Sequence, residues 1–159
     1  MNRIYYALAL ILIATSDGKP VVTAITPENA EKVLPHALVI QHCALLDYTG
    51  ECNARDFVGV AVDLNGNGAP EFSISDKKIA PGASRCYLYH DEKEDYRFIQ
   101  KNFPCDIEPK ERRTEGWADI AGTVYPTGCE PLRCEFTWTG SIYKEGTCVP
   151  VKEGACGIE

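Results

Sequence analysis

The chain has no apolar run long enough to cross a bilayer, which takes about 20 residues. Its longest, Ile4 to Ala14, ends at Thr15-Ser16. Basic residues are also scarce: 16 Lys and Arg stand against 23 Asp and Glu, for a net charge of −7. Nucleic-acid recognition rests on clustered Lys and Arg, so we expect no nucleic-acid partner. The densest basic stretch, Lys110 to Arg113, is interrupted by Glu111 and flanked by Glu108 and Glu115, and reads as a solvated loop. There is no G-x-S-x-G, no H-E-x-x-H and no P-loop. The three histidines, His36, His42 and His90, are scattered without an i+4 partner and read as surface or packing residues. Internal repeats and low-complexity segments are absent. These absences point to a non-enzymatic protein.

What is present begins at the amino terminus. Arg3, the apolar run Ile4 to Ala14 and the small residues Ala14-Thr15-Ser16 have the layout of a secretory signal peptide. We expect residues 1–16 to be this signal, cut after Ser16, with a cut after Val22-Thr23-Ala24 as second choice. The first cysteine, Cys43, follows Gln41-His42, which is not a lipoprotein setting. Residues 17–159 then form a single disulfide-rich domain, secreted or periplasmic, with no membrane insertion after signal cleavage. A domain of this length can bury a real core.

The eight cysteines, Cys43, Cys52, Cys86, Cys105, Cys129, Cys134, Cys148 and Cys156, are an even set in a chain read as exported, and so read as disulfides. Many connectivities are open. We expect neighbours to pair: Cys43 with Cys52, Cys86 with Cys105, Cys129 with Cys134, and Cys148 with Cys156. The spacings make no paired zinc-ribbon pattern.

The pattern along the chain is mainly β. Thr26-Pro27-Glu28 opens a helix that Pro35 stops. Ala37 to Ile40 is apolar and reads as a strand or a buried turn. Phe57 to Leu64 alternates as a half-buried strand, and Phe72 to Ile74 follows it. Arg85 to His90 and Tyr96 to Gln100 read as a hairpin across a charged Asp91-to-Asp95 tip. Trp117 to Tyr125 is a further strand. Leu132 to Thr139 and Ile142 to Lys144 flank a Gly140-Ser141 turn. The Gly-rich tail from Glu145 needs bridges to hold it. The fold class expected is mainly β, or α+β: an antiparallel sheet or small sandwich with an amino-terminal helix, stabilised by disulfides. Trp117 and Trp138 are expected in the core rather than on a binding face with Tyr125 and Tyr143.

The stretch richest in chemistry is Asp63-Leu64-Asn65-Gly66-Asn67-Gly68-Ala69-Pro70-Glu71. Side-chain oxygens fall at Asp63, Asn65, Asn67 and Glu71, and Ala69 can offer its backbone carbonyl. Calcium takes 6–8 oxygen ligands, and alternate residues wrapped round one centre meet that demand. Position 12 is Ile74, so the loop is not an EF-hand. The alternative is a metal-free turn, since Asn-Gly is favourable turn chemistry without an ion. The loop resembles the calcium loops of FG-GAP and VCBS repeats, with a D-x-[DN]-x-[DN]-G-x-x-[DE] core between strands. That resemblance implies calcium as cofactor, bound at Asp63, Asn65, Asn67 and Glu71. Two charged side chains among the ligands suggest a modest affinity, near ~10⁻⁴ to 10⁻³ M. A looser resemblance covers about 80 residues. It is to exported bacterial single-domain proteins with this loop, a Cys-Tyr strand (Cys86 to Tyr89), a G-W-x-D-I element (Gly116 to Ile120) and an aromatic hairpin (Phe136 to Tyr143).

The function expected from this reading is a non-enzymatic exported binding protein with a calcium-binding loop and a protein partner. A periplasmic inhibitor or immunity protein acting against a cell-wall-degrading enzyme is one such protein, and an acidic surface suits a basic target. Two alternatives stand beside it. One is a secreted, calcium-stiffened adhesion or structural module. The other is a small carboxylate-dependent hydrolase, for which the Asp91-to-Asp95 acids would be one candidate site.

Overall fold

The computed structural model describes residues 19–78, 86–93, 95–126 and 130–151. The expected signal, Cys129 and Cys156 lie outside the described residues.

Among the described residues, nine strands and two helices follow one another with short connections. Strand β1 is Val22–Ile25, helix α1 Ala30–Val33, helix α2 His36–Leu45, and a 3₁₀ turn Ala54–Asp56 leads into β2, Phe57–Val62. Then come β3 Glu71–Asp76, β4 Cys86–Glu92, β5 Asp95–Phe103, β6 Glu108–Thr114, β7 Trp117–Val124, β8 Leu132–Trp138 and β9 Tyr143–Pro150. Every pairing is antiparallel. Strands β1 to β5 form one sheet in sequence order, and β6 to β9 form a second in the same way. The fold is thus mainly β, as the alternating pattern implied.

The two faces of the first sheet have different neighbours. Successive side chains on a strand point to opposite sides. Phe57 and Ala61 of β2, Phe72 and Ile74 of β3, and Tyr89 of β4 pack with Leu34, Leu38, Val39 and Cys43 from the helical segment. Val60 and Val62 of β2 and Leu88 of β4 face the other way and pack with Ile120, Phe136, Trp138 and Tyr143 of the second sheet. The layers are therefore helix, sheet and sheet, with a core in each gap. Strand β3 is the exception to apolar filling. Its second face carries Glu71, Ser73 and Ser75, all buried. The Ser73 hydroxyl donates to the Pro104 carbonyl at 2.9 Å.

Several expectations are corrected. The helix begins at Ala30 rather than at Thr26, because the Asn29 side chain accepts the Thr26 N–H and holds the preceding residues in a turn. Ala37 to Ile40 lies in α2 and is neither strand nor turn. Pro35 ends the first helix and starts the second, since proline is tolerated at a helix start. Lys110 to Arg113 is not a loop. It lies in β6, with Arg112 set against Asp119 of β7. The β8–β9 connection is four residues, closed by Thr139 N–H to the Ile142 carbonyl at 2.9 Å, rather than a two-residue turn. The tail from Glu145 continues β9 to Pro150. The disulfides Cys43–Cys52 and Cys86–Cys105 form as expected. Cys134 pairs with Cys148, so neither Cys129–Cys134 nor Cys148–Cys156 forms. The reason is register: Cys134 and Cys148 lie directly opposite on β8 and β9. A cut after Ala24 would remove three of the four residues of β1, whereas a cut after Ser16 leaves the strand whole.

Candidate metal centre

The candidate loop joins two hydrogen-bonded neighbours. Val62 closes β2 directly opposite Glu71, which opens β3, so residues 63–70 must reverse the chain. Gly66 and Gly68 make this possible, with φ of +76° and +87°. The Asp63 carboxylate accepts the N–H of Gly66 at 2.7 Å through Oδ1 and that of Gly68 at 2.9 Å through Oδ2. Asn65 Oδ1 accepts the Asn67 N–H at 2.9 Å, and Asn67 Oδ1 accepts the Ala69 N–H at 2.7 Å. The three side chains thus turn their oxygens into the loop. A carbonyl or carboxylate oxygen has two lone pairs, so each keeps one. The donor set is hard oxygen throughout, the kind that suits calcium rather than a thiophilic metal.

Glu71 sits beneath the loop with no solvent exposure. Its Oε2 accepts the Leu64 N–H at 2.6 Å, and its Oε1 accepts from Asn65 Nδ2 at 2.8 Å. His90 Nδ1, on β4, lies 2.8 Å from the same Oε1. Burial pushes the Glu71 carboxyl up to about 8; the Leu64 N–H pulls it down, and the charge of Asp63 adds to the rise. His90 is lowered, chiefly by burial and then by Arg97. Both shifts favour the neutral forms, and the hydrogen bond between Oε1 and Nδ1 then takes one proton, carried by either the carboxyl or the imidazole. Oε1 is occupied from both sides. When ionised, Glu71 could give a metal only its Oε2.

Aromatic rings extend from His90. It meets Trp117 edge-on at 5.2 Å, and Trp117 stacks on Trp138 at 4.2 Å with an interplanar angle of 14°. The Tyr143 hydroxyl donates to the Ala118 carbonyl at 2.7 Å; burial and then the nearby Glu71 charge raise it above the usual phenol range. Trp138 and Tyr143 are buried and Trp117 is half-buried, so this group is core, as expected for the tryptophans. Tyr125 stands apart at the end of β7. Arg113 ties the loop to the second sheet. Its Nη1 donates to the Leu64 carbonyl at 3.2 Å and to the Gly116 carbonyl at 2.8 Å. The Ala118 N–H donates to the same Leu64 carbonyl at 2.7 Å.

Sequence reading did not find His90 or Arg113. They lie 19 and 49 residues from the groups they meet, and no local spacing marks such partners. A second group of donors, Cys134, Glu145 and Cys148, lies within 4.8 Å of one another. Its two cysteines are joined to each other, so no thiolate remains to hold a metal. Of the charged hairpin tip, Glu92 pairs with Arg97 at 2.9 Å, with both side chains about half exposed, and Glu94 lies outside the described residues. No helix among the described residues is long and apolar enough to cross a membrane. The chain matches no protein-family model, no curated protein and no solved structure.

Proposed function

We propose that this chain is a non-enzymatic exported binding protein with a calcium-binding loop at residues 63–71, acting on a protein target. A periplasmic inhibitor or immunity protein directed at a cell-wall-degrading enzyme fits this reading. The observation that carries the calcium part is that Asp63, Asn65 and Asn67 each turn a side-chain oxygen to a backbone N–H of the same short loop, with a lone pair to spare. Ala69 would add its carbonyl. Glu71, at the base, would add Oε2 on losing its proton.

The charges argue for weak binding. Asp63 is the one acid of the set that is not buried, and the Arg113 guanidinium lies 3.4 Å from where a Cβ on Gly66 would stand. An affinity near ~10⁻⁴ to 10⁻³ M follows, the range of extracellular calcium modules. The ion's role would be structural, because the loop is bonded to both sheets through Leu64. That same link supports the second reading, a calcium-stiffened adhesion module. The hydrolase alternative has less support here: Glu71 has the raised carboxyl such chemistry uses, but it is buried and its Oε1 is occupied. The acidic balance of the chain suits a basic protein target.

The test is a thermal melt of the oxidised protein with millimolar calcium and with a chelator. A rise of several degrees in calcium is expected, with magnesium giving less. Identical melts in calcium and chelator would remove the metal from this reading.

A further inference from the structure

Helix α2 contains no Lys, Arg, Asp or Glu along its ten residues, His-Ala-Leu-Val-Ile-Gln-His-Cys-Ala-Leu. One side is accounted for: Leu38, Val39, His42 and Cys43 are buried against the first sheet. The other side presents Ala37, Ile40, Ala44 and Leu45 to solvent, with Ile40 56% and Leu45 46% exposed. A surface helix ordinarily carries charge on its outer face, whereas this one shows His36 and Gln41 as its only polar side chains there, and Gln41 is bonded to the Tyr96 carbonyl. Here the outer stripe has no cover among the described residues.

Beside this stripe lies a groove of about 530 Å³ between α2 and the segment that follows it. Ile40 and Ala44 of α2, Asp47 and Tyr48 after it, and the Cys43–Cys52 disulfide line this open depression. The groove is held in shape. The Tyr48 N–H donates to the Cys43 carbonyl at 3.1 Å, and the Tyr48 hydroxyl donates to Asp76 at 3.2 Å. A preformed groove loses less conformational freedom on binding. The segment that supplies the lining carries charge of one sign. Residues 36–53 contain Asp47 and Glu51 and no Lys or Arg. Both acids are exposed, and neither has an ion-pair partner among the described residues.

We infer that the outer face of α2, with the groove lined by Asp47 and Tyr48, is the docking surface for a basic protein partner. Apolar side chains of that partner would cover Ile40 and Ala44, and its flanking Lys or Arg would meet Asp47 and Glu51. Two acids without ion-pair partners disfavour both a second copy of this chain, whose own Asp47 and Glu51 would repel them, and an anionic membrane. The inference rests on the reading of the chain as a binding protein but not on the calcium loop, which lies on the far side of the first sheet. Calcium melts and the experiment below therefore fail independently.

The probe is a pair of synthetic amphipathic helical peptides sharing one Leu face, one with Lys and one with Glu on the polar face. Binding is measured by calorimetry and located by amide shifts in NMR. Binding of the Lys peptide is expected, with shifts confined to residues 36–52. Ile40→Glu should weaken it about tenfold or more, and Asp47→Asn with Glu51→Gln by about tenfold. These positions are exposed, so the variants should fold; unchanged melts verify this. Equal binding of the Glu peptide, shifts elsewhere, no binding, or indifference to Ile40→Glu would overturn the inference. So would a concentration-dependent dimer through α2, or tighter binding to anionic vesicles than to the Lys peptide.

Discussion

His90 Nδ1 and Glu71 Oε1 stand 2.8 Å apart across β3 and β4, in the gap between the two sheets. Burial favours the neutral form of each. The pair therefore shares one proton and leaves no uncompensated charge in the core, which would be costly there.

The neutral carboxyl has a close mimic in glutamine. Glu71→Gln keeps an acceptor for the Leu64 N–H and a donor for His90 but turns an amide N–H toward Asn65 Nδ2, which loses its acceptor, so it should cost about 1–2 kcal/mol in chelator. Glu71→Ala leaves the Leu64 N–H and Asn65 Nδ2 without their partner and opens a cavity, and should cost about 3 kcal/mol. Urea unfolding of both variants checks the order. Equal losses would mean that an amide does not stand in for the Glu71 carboxyl.

Asp63 caps two backbone N–H groups whether or not an ion is bound. Asp63→Ala would thus destabilise in any buffer, and Asp63→Asn separates the roles. Asparagine keeps an oxygen for Gly66 but loses the charge. In chelator its melting temperature should stay within a few degrees of the parent, a cost of about 1 kcal/mol. In calcium it should lose most of the calcium-dependent rise. A full rise in Asp63→Asn would place the ion elsewhere.

His42 lies wholly buried on α2, with Nδ1 2.6 Å from the Tyr89 hydroxyl and Nε2 without a partner among the described residues. Burial lowers it to about 4, against a smaller upward pull from Asp76. The unfolded chain therefore takes up this proton before the folded one. Stability from neutral His42 is complete above about pH 6.5 and is lost as pH falls through about 4, by about 3 kcal/mol in all. Chemical unfolding at pH 7, 5.5 and 4 should show a shallower decline for His42→Gln than for the parent. Parallel declines would show that other groups drive acid unfolding.

Peptide mapping under non-reducing conditions should yield one fragment pair linked through Cys134 and Cys148. The double variant Cys134→Ala/Cys148→Ala should lose about 3 kcal/mol, from a loop of sequence separation 14. Recovery of a Cys129–Cys134 peptide from native protein would contradict the β8–β9 register.

Reading from sequence succeeded where chemistry is local. The alternating valines marked β2 as a strand, although both its faces are packed, one on the helical segment and one on the second sheet, so it is not the half-buried strand that alternation implies. Asp63 to Glu71 marked its own turn, because asparagine, aspartate and glycine dictate backbone conformation within a few residues. It failed at α2, where an apolar helix covered on one side has almost no 3.6-residue contrast to detect. It failed again at β6, whose charges resemble a loop until Asp119 is brought under Arg112. The two corrected disulfides belong to the same class. Neighbouring cysteines are close in sequence, but β8 and β9 decide which thiols face one another.

By itself, then, the sequence determined the β pattern, the oxygen-bearing loop and the acidic balance, since each is a property of a few consecutive residues or of composition. Tertiary structure alone decided that Glu71 meets His90, that Arg113 ties the loop to the second sheet, and that Ile40 faces water. Those outcomes depend on which distant strands share an edge or a face, and no spacing along the chain encodes them.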